Sequence, residues 1–522
     1  MPVTLSKVLS SAERIVLTIE ARLNNTAVSE WGFEDQNCGF VTNCGLDLSI
    51  VVNNNSAIVV TAGQAKNSGG SDVVQEGVQL RRNLADPFSG GADQSIGKLK
   101  LSFLESGDAL HTRDWDNRQL TIKSGGVVEG DEMLFSDYPL MFAGVSNGHD
   151  HNEQSMLVSL SLASKELTNV FPKDTYTSGE AKGEVIPHLF GAVRNYKPVE
   201  LGGGLYQYQA VQQPTFTVGE ISAAYDNGTA LTQDVAGSIN QAAFDAATPI
   251  TGEYVYYDGF IKTNATDEIL LTVDHVNIGM TGVREIIDVV NKIVEIGCDG
   301  RVPVTWDGVE ATEEIGWVFD KQRTVREHLN ELLTPLDLYF TENATDNGIT
   351  IRRRYNGQAL DFNGNLNVRD SFYFDEADVL QGSLSRVRTE PRPQTTRVLY
   401  DKNWHVIEGE GVPTSTRVQM KKEYEKTSAV LSPKGSAPPI DIKSPLVLEA
   451  DAIAFSIQTA ARDGARNQRY SLTVHGIGHE LEVGYVGTIV HPLMPTNSFS
   501  EIRQVTESTS SRKTNLTVIV YE

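Results

Sequence analysis

Apolar and polar residues alternate along most of this chain, and strict alternation marks strands with one buried face. Residues 13–23, ERIVLTIEARL, read this way. So do 46–52, LDLSIVV, and 56–62, SAIVVTA, with Asn53, Asn54 and Asn55 as the turn between them. Residues 63–97 are crowded with Gly, Ser, Asp and Gln and are expected to form a long surface loop. Strands resume at 98–104, KLKLSFL, and at 118–123, RQLTIK, the latter closed by Gly125-Gly126. Residues 139–146, PLMFAGVS, and 155–163, SMLVSLSLA, form a hairpin-like pair around the polar turn NGHDHNEQ. No helical period interrupts residues 13 to about 165, so a small barrel or sandwich is the expected closure.

The stretch 187–209, PHLFGAVRNYKPVELGGGLYQYQ, reads as a joint. It breaks at Gly191, is forced extended before Pro198, turns at Gly202, Gly203 and Gly204, and ends in a strand of aromatics and polars. Residues 205–275 stay extended and turn-rich. A 3.6-residue period then appears in GVREIIDVVNKIVEIG, with Ile286, Val289, Val290, Ile293 and Val294 or Ile296 on one face and Gly297 at the end. A second helix begins at Thr324, where Thr324-Val-Arg-Glu327 has the capping-box form. Its apolar face is Val325, Leu329, Leu332 and Leu333, and Pro335 stops it. Strands follow at 336–341 and 348–352, so two helices pack on a small sheet. Beyond 366 the β pattern returns, apart from a helix in LEADAIAFSIQTAARDGARN with Ala450, Ile453, Ala454, Ile457, Ala460 and Ala461 as its packed face. The last two strands, SEIRQVTES and TNLTVIVYE, read as a hairpin.

These elements predict an α+β chain that is mostly β, with two β-barrel-like domains flanking a small α/β module. The expected division is 1–190 for the N-terminal barrel-like domain with its loop at 63–97, and 191–275 for an extended connecting region. Residues 276–355 form the α/β module and 356–522 a C-terminal β-rich domain with one helix.

Composition narrows the function. The 522 residues carry 44 basic and 68 acidic side chains, a net charge of −24. That balance disfavours a nucleic-acid clamp, which needs basic surface to neutralise phosphates, and docking on an anionic membrane. No apolar run approaches the roughly 20 residues of a membrane-spanning helix, and the first residues hold no continuous apolar core of a leader. Three cysteines do not make a disulfide scaffold. Cys38 and Cys44 share a Gly/Asn-rich loop, where they could pair but are expected as free thiols; Cys298 follows an apolar helix and is expected to be buried.

Candidate chemistry is sparse. His149-Asp150-His151 has a metal-binding spacing but reads as a solvated turn. His475, His479 and Glu480 have zinc-like spacing, but Gly476 and Gly478 break any helix that would converge them. Gly202-Gly203-Gly204 lacks the pattern of a dinucleotide or phosphate loop. Carboxylates are dense at Glu310 to Glu314 and Glu105 to Asp116, as solvated surface in an acidic chain. No catalytic, cofactor-binding or metal residue is assigned, and no cofactor is expected.

Three stretches carry a resemblance: 117–122, NRQLTI; 139–148, PLMFAGVSNG; and 187–208, containing PHLFGAVRN and YQY. With the order of elements around them, they resemble the hub (baseplate hub, tail-tip) proteins of tailed bacteriophages. The resemblance implies a non-enzymatic virion protein at the tail tip, a homotrimer closing the distal end of the tail tube. It implies contacts with the distal tail ring protein, the tape measure protein and tail fibre or tip proteins. Genomic DNA would pass through without specific binding, and no stable membrane insertion is implied. Two rival classes are an envelope-degrading carbohydrate-active virion enzyme, which needs two carboxylates across a cleft, and a receptor-binding tail fibre, which needs repeats or a heptad stem.

Overall fold

The alternating stretches of the first third assemble into one eight-stranded sheet. Its order is Ala57–Thr61, Ile15–Arg22, Asp116–Val128, Leu140–His151, Ser155–Leu162, Leu99–Ser102 and Val74–Glu76, with Asp131–Glu132 against the end of Asp116–Val128. The computed structural model describes residues 15–22, 57–61, 74–76, 79–85, 91–102, 116–128, 131–132, 140–152, 154–162, 165–210, 220–238, 240–264, 270–276, 284–307, 309, 312–342, 348–354, 372–387, 395–406, 420–427, 440–464, 467–475, 481–495, 498–508 and 513–521. The strand read at 46–52 and both Cys38 and Cys44 lie outside these residues.

A second eight-stranded sheet gathers the C-terminal strands. It runs Tyr373–Phe374, Val486–Ile489, Phe499–Ser508, Lys513–Tyr521, Asn467–His475 and Ser385–Val387. The expected terminal hairpin is present, with Phe499 opposite Tyr521 and Ser508 opposite Lys513. Among the described residues neither large sheet closes on itself, so the two barrels expected from the strand count are open sheets. The C-terminal sheet shows why closure is unnecessary. Its inward residues Leu472, Val474, Ile502, Val505, Leu516 and Val518 pack in one core with Tyr339, Phe372 and Leu481 from outside its strands. An apolar sheet face needs a cover, and a second layer serves as well as a barrel wall.

The stretch read as a loop at 63–97 holds strands. Val74–Glu76 pairs with Leu99–Ser102 in the N-terminal sheet. Gln79–Leu84 pairs with Ala92–Ile96, and the Gly97 amide donates to the Gln79 carbonyl at 2.8 Å. Gln79–Leu84 also pairs with Gln504 to Ser508 of the C-terminal sheet. The described strands between Val74 and Ser102 form an arm shared by both sheets: Val74–Glu76 and Leu99–Ser102 belong to the first, Gln79–Leu84 and Ala92–Ile96 to the second.

Residues 191–275, expected as an extended connection, contribute strands to two five-stranded sheets. Leu189, Val193, Tyr206, Tyr208, Ile221, Tyr254, Ile261 and Val273 form the apolar layer between them. The long strand His188–Tyr196 changes partner midway. His188 to Gly191 pair with Gly316–Phe319, and Ala192 to Tyr196 pair with Leu271–Val276. The exchange occurs where Gly191 faces Gly316. Gly191 has φ +71°, and a Cβ on it would stand 1.7 Å from the Ile315 carbonyl oxygen; one on Gly316 would stand 1.8 Å from that of Ala192. Only two glycines allow the backbones to cross so closely.

The α/β module follows its sequence pattern closely. Helix Ile286–Gly297 buries Ile286, Val289, Val290, Ile293 and Val294. Helix Val325–Leu333 starts at a complete capping box on Thr324 and Glu327, and buries Val325, Leu329, Leu332 and Leu333. Both pack in one core with Leu338, Phe340, Ile349 and Ile351 of the small sheet and with Val398, Ile442 and Phe455 from further along the chain. Helix Glu449–Gly464 is present, but its packed face differs from the expected one: Ala452, Phe455, Ser456 and Thr459 are buried, while Ala450, Ala454 and Ile457 are exposed. Ser456 and Thr459 turn inward because their hydroxyls donate to helix carbonyls, Ser456 to Ile453 at 2.7 Å and Thr459 to Phe455 at 3.0 Å, and so demand nothing from the core.

Candidate functional site

A buried polar cluster sits where the arm meets the C-terminal sheet and the α/β module. Along the arm, Leu80, Arg82 and Leu84 point inward in a period of two. Two of the three are apolar and the middle one is a guanidinium. Arg82 Nη1 donates to the Leu481 carbonyl at 3.0 Å and lies 3.8 Å from the carboxylate of Glu507. At the arm's end the carbonyl of Ala85 accepts from two more buried arginines. Arg354 of the α/β module is one, and Arg503 of the C-terminal sheet, at 3.4 Å, is the other. Arg503 also pairs with Glu501 at 3.0 Å, and Arg354 with Asp337 at 3.4 Å.

A second tier ties the module to the same sheet. Arg352 donates to Asp307 at 3.0 Å, to Thr341 at 3.1 Å and to Glu482. The Tyr339 hydroxyl donates to the Val483 carbonyl at 3.1 Å. Guanidinium is suited to this work because its planar fork serves a carboxylate and a backbone carbonyl together. Glu507 is the exception in the cluster. It is fully buried, and neither carboxylate oxygen makes a hydrogen bond to another protein group. Burial pushes its carboxyl above the usual carboxylate range, opposed by Arg82 and assisted by Glu482. A pocket lined by Arg82, Arg326, Phe340 and Glu342 offers about 10 Å³, room for a single water. The cluster spends its donors on this chain's own carbonyls and carboxylates: it fastens three parts of the molecule together.

Other titratable groups serve packing. Burial lowers His188 to about 4 and His275 to about 3, and the His275 Nε2 meets the Gln209 side chain at 2.9 Å. Cys298 is buried as expected; its thiol donates to the Glu166 carbonyl at 3.5 Å and is raised to about 12, mainly by burial. Gly202, Gly203 and Gly204 form the expected turn, all with positive φ. Of the acidic run at 310–314, Glu313 pairs with Arg353 at 2.5 Å and Glu314 with Arg284 at 3.6 Å.

The histidine motifs fare differently. His475 ends its strand exposed, and His479 and Glu480 lie outside the described residues. His149 and His151, read as part of a turn, lie instead in strand Leu140–His151. The turn is confined to the residues after it, where the Asn152 side chain accepts from the amides of Gln154 at 2.9 Å and Ser155 at 2.8 Å. Among the described residues no three His, Cys, Asp or Glu side chains are grouped to hold a metal ion.

No family model matches the chain, and no curated protein matches it. Comparison with solved structures finds similarity to tail proteins at low identity. The 43 kDa tail protein of prophage MuSo2 from Shewanella oneidensis is 11% identical, with a TM-score of 0.39 over 86% of this chain and 97% of that one. A tail protein from Neisseria meningitidis is 7% identical, with a TM-score of 0.42 over 91% and 96%. A prophage tail protein from Listeria monocytogenes is 6% identical, with a TM-score of 0.39 over 89% and 91%. These three are tail proteins, two of them from prophages, and the chain is also similar to an Escherichia coli component of the type VI secretion system, 9% identical, with a TM-score of 0.35 over 87% of this chain and 75% of that one.

Proposed function

We propose that the chain is a structural virion protein, the hub of a bacteriophage tail tip or baseplate. In this reading three copies close the distal end of the tail tube. They join it to the distal tail ring protein, the tape measure protein and the fibre or tip proteins, and open for DNA without binding it specifically. One observation carries the reading. The described residues of the three stretches that resemble the hub family lie mostly in paired strands of the sheets. Residues 117–122 and 139–148 are neighbours in the N-terminal sheet, with Arg118 opposite Ser146 and Ile122 opposite Phe142. Residues 187–208 contain the strand that changes partner at Gly191. A likeness concentrated in paired strands is a likeness of scaffold, as a load-bearing role requires.

Native mass spectrometry of the tail tip, assembled and then released, tests the copy number. A closed threefold ring of 57.1 kDa chains gives three times that mass, about 171 kDa. A species of one, two or six copies in the assembled particle overturns the trimer.

A further inference from the structure

We propose that His149 and His151 form a two-imidazole binding site for a divalent transition-metal cation such as zinc. Residues two apart on a strand share a face, and here the two rings face each other with centroids 5.6 Å apart and planes 25° apart. Two imidazoles on one tetrahedral zinc, with Zn–N bonds of about 2.0–2.1 Å, hold their ring centres roughly 5 Å apart.

The sheet fixes the frame around the pair. His149 stands opposite Val158, which stands opposite Leu99; His151 stands opposite Met156, which stands opposite Leu101. These four neighbours are fully buried. Each imidazole therefore sits at the rim of a rigid apolar row, with His151 exposed and His149 half-buried. On the other side of the strand, the described ladder pairs Asp116 with Asn147. Asp150, between the two histidines, belongs to the opposite face, and its carboxylate meets Lys98 Nζ at 3.4 Å. The pair offers two imidazole nitrogens, ligands that suit zinc, copper or nickel better than magnesium or calcium. Two positions on a tetrahedral ion stay open to water or to a group from another molecule.

Calorimetric titration of the tag-free, full-length chain with zinc chloride tests the site. One saturable equivalent per chain is expected, weakened about tenfold or more in His149→Gln and in His151→Gln. Asp150→Asn, on the other face, is expected to bind as the unaltered chain does. Should either histidine variant fold poorly, zinc protection of His149 and His151 from diethyl pyrocarbonate in the unaltered chain reads the same site. Absence of saturable zinc binding overturns the proposal. So does binding that both histidine variants retain, or histidines modified equally with and without zinc.

Discussion

An ionised carboxylate buried without hydrogen bonds is costly, and Glu507 occupies that position beside Arg82. Its carboxyl is held above the ordinary 4.5. The folded state therefore keeps this proton more tightly than the unfolded chain does. The group's contribution to stability is fullest below the unfolded value and is lost as pH rises through the folded one. Arg82 offsets that loss near neutrality. Arg82→Leu is expected to cost about 3–5 kcal/mol at pH 8, because it strands the carboxylate. The cost should be smaller at pH 5, where Glu507 takes up a proton more readily. Changing both residues to Leu should recover most of the loss, since a packed apolar pair replaces a buried ion pair at little or no cost. Urea midpoints at the two pH values decide the matter, and an equal loss at both would remove Glu507 from the explanation.

Among the elements, helix Val325–Leu333 was the most legible in the sequence, because its cap and its face are both local. Thr324 Oγ1 accepts from the Glu327 amide at 3.2 Å, and the Glu327 carboxylate accepts from the Thr324 amide at 2.8 Å. Thr324→Ala should cost about 1 kcal/mol and Leu329→Ala about 2–5 kcal/mol. Thermal unfolding that does not shift in Leu329→Ala would contradict the burial of that side chain. Helix Glu449–Gly464 was legible in extent but not in facing. Ala, Ser and Thr are close enough in size and polarity that a moment of apolar residues does not orient it, and the core chose Phe455 over Ile457. The hairpin arm was illegible for a different reason. Its inward row is Leu80, Arg82, Leu84, so the alternation is broken by a charged residue whose partners are far away in sequence. The arginine cluster was unreadable with it: a guanidinium on a strand looks solvated until its carbonyl and carboxylate partners are brought to it. The partner exchange at Gly191 left a faint trace, a break in an apolar strand, but nothing in it named Gly316 as the residue it crosses.

For the molecule as a whole, the net charge of −24 sets the long-range field. An acidic surface repels phosphates, and under the proposed hub function it would let DNA slide past. Filter retention or gel shift with duplex DNA at low salt is expected to show no complex; tight binding that falls steeply with salt would overturn this reading of the charge. The arm adds an inheritance rule. Its strands Ala92–Ile96 and Leu99–Ser102 pass from one large sheet to the other across Gly97-Lys98, while the carbonyl that seats Arg82 lies 399 residues downstream. A recombination crossover anywhere in that interval joins one parent's arm to another parent's seat, so Leu80, Arg82 and Leu84 must travel through any lineage together with Leu481, Val505 and Glu507. Two ends of a gene that look like separate modules behave, under shuffling, as a single locus.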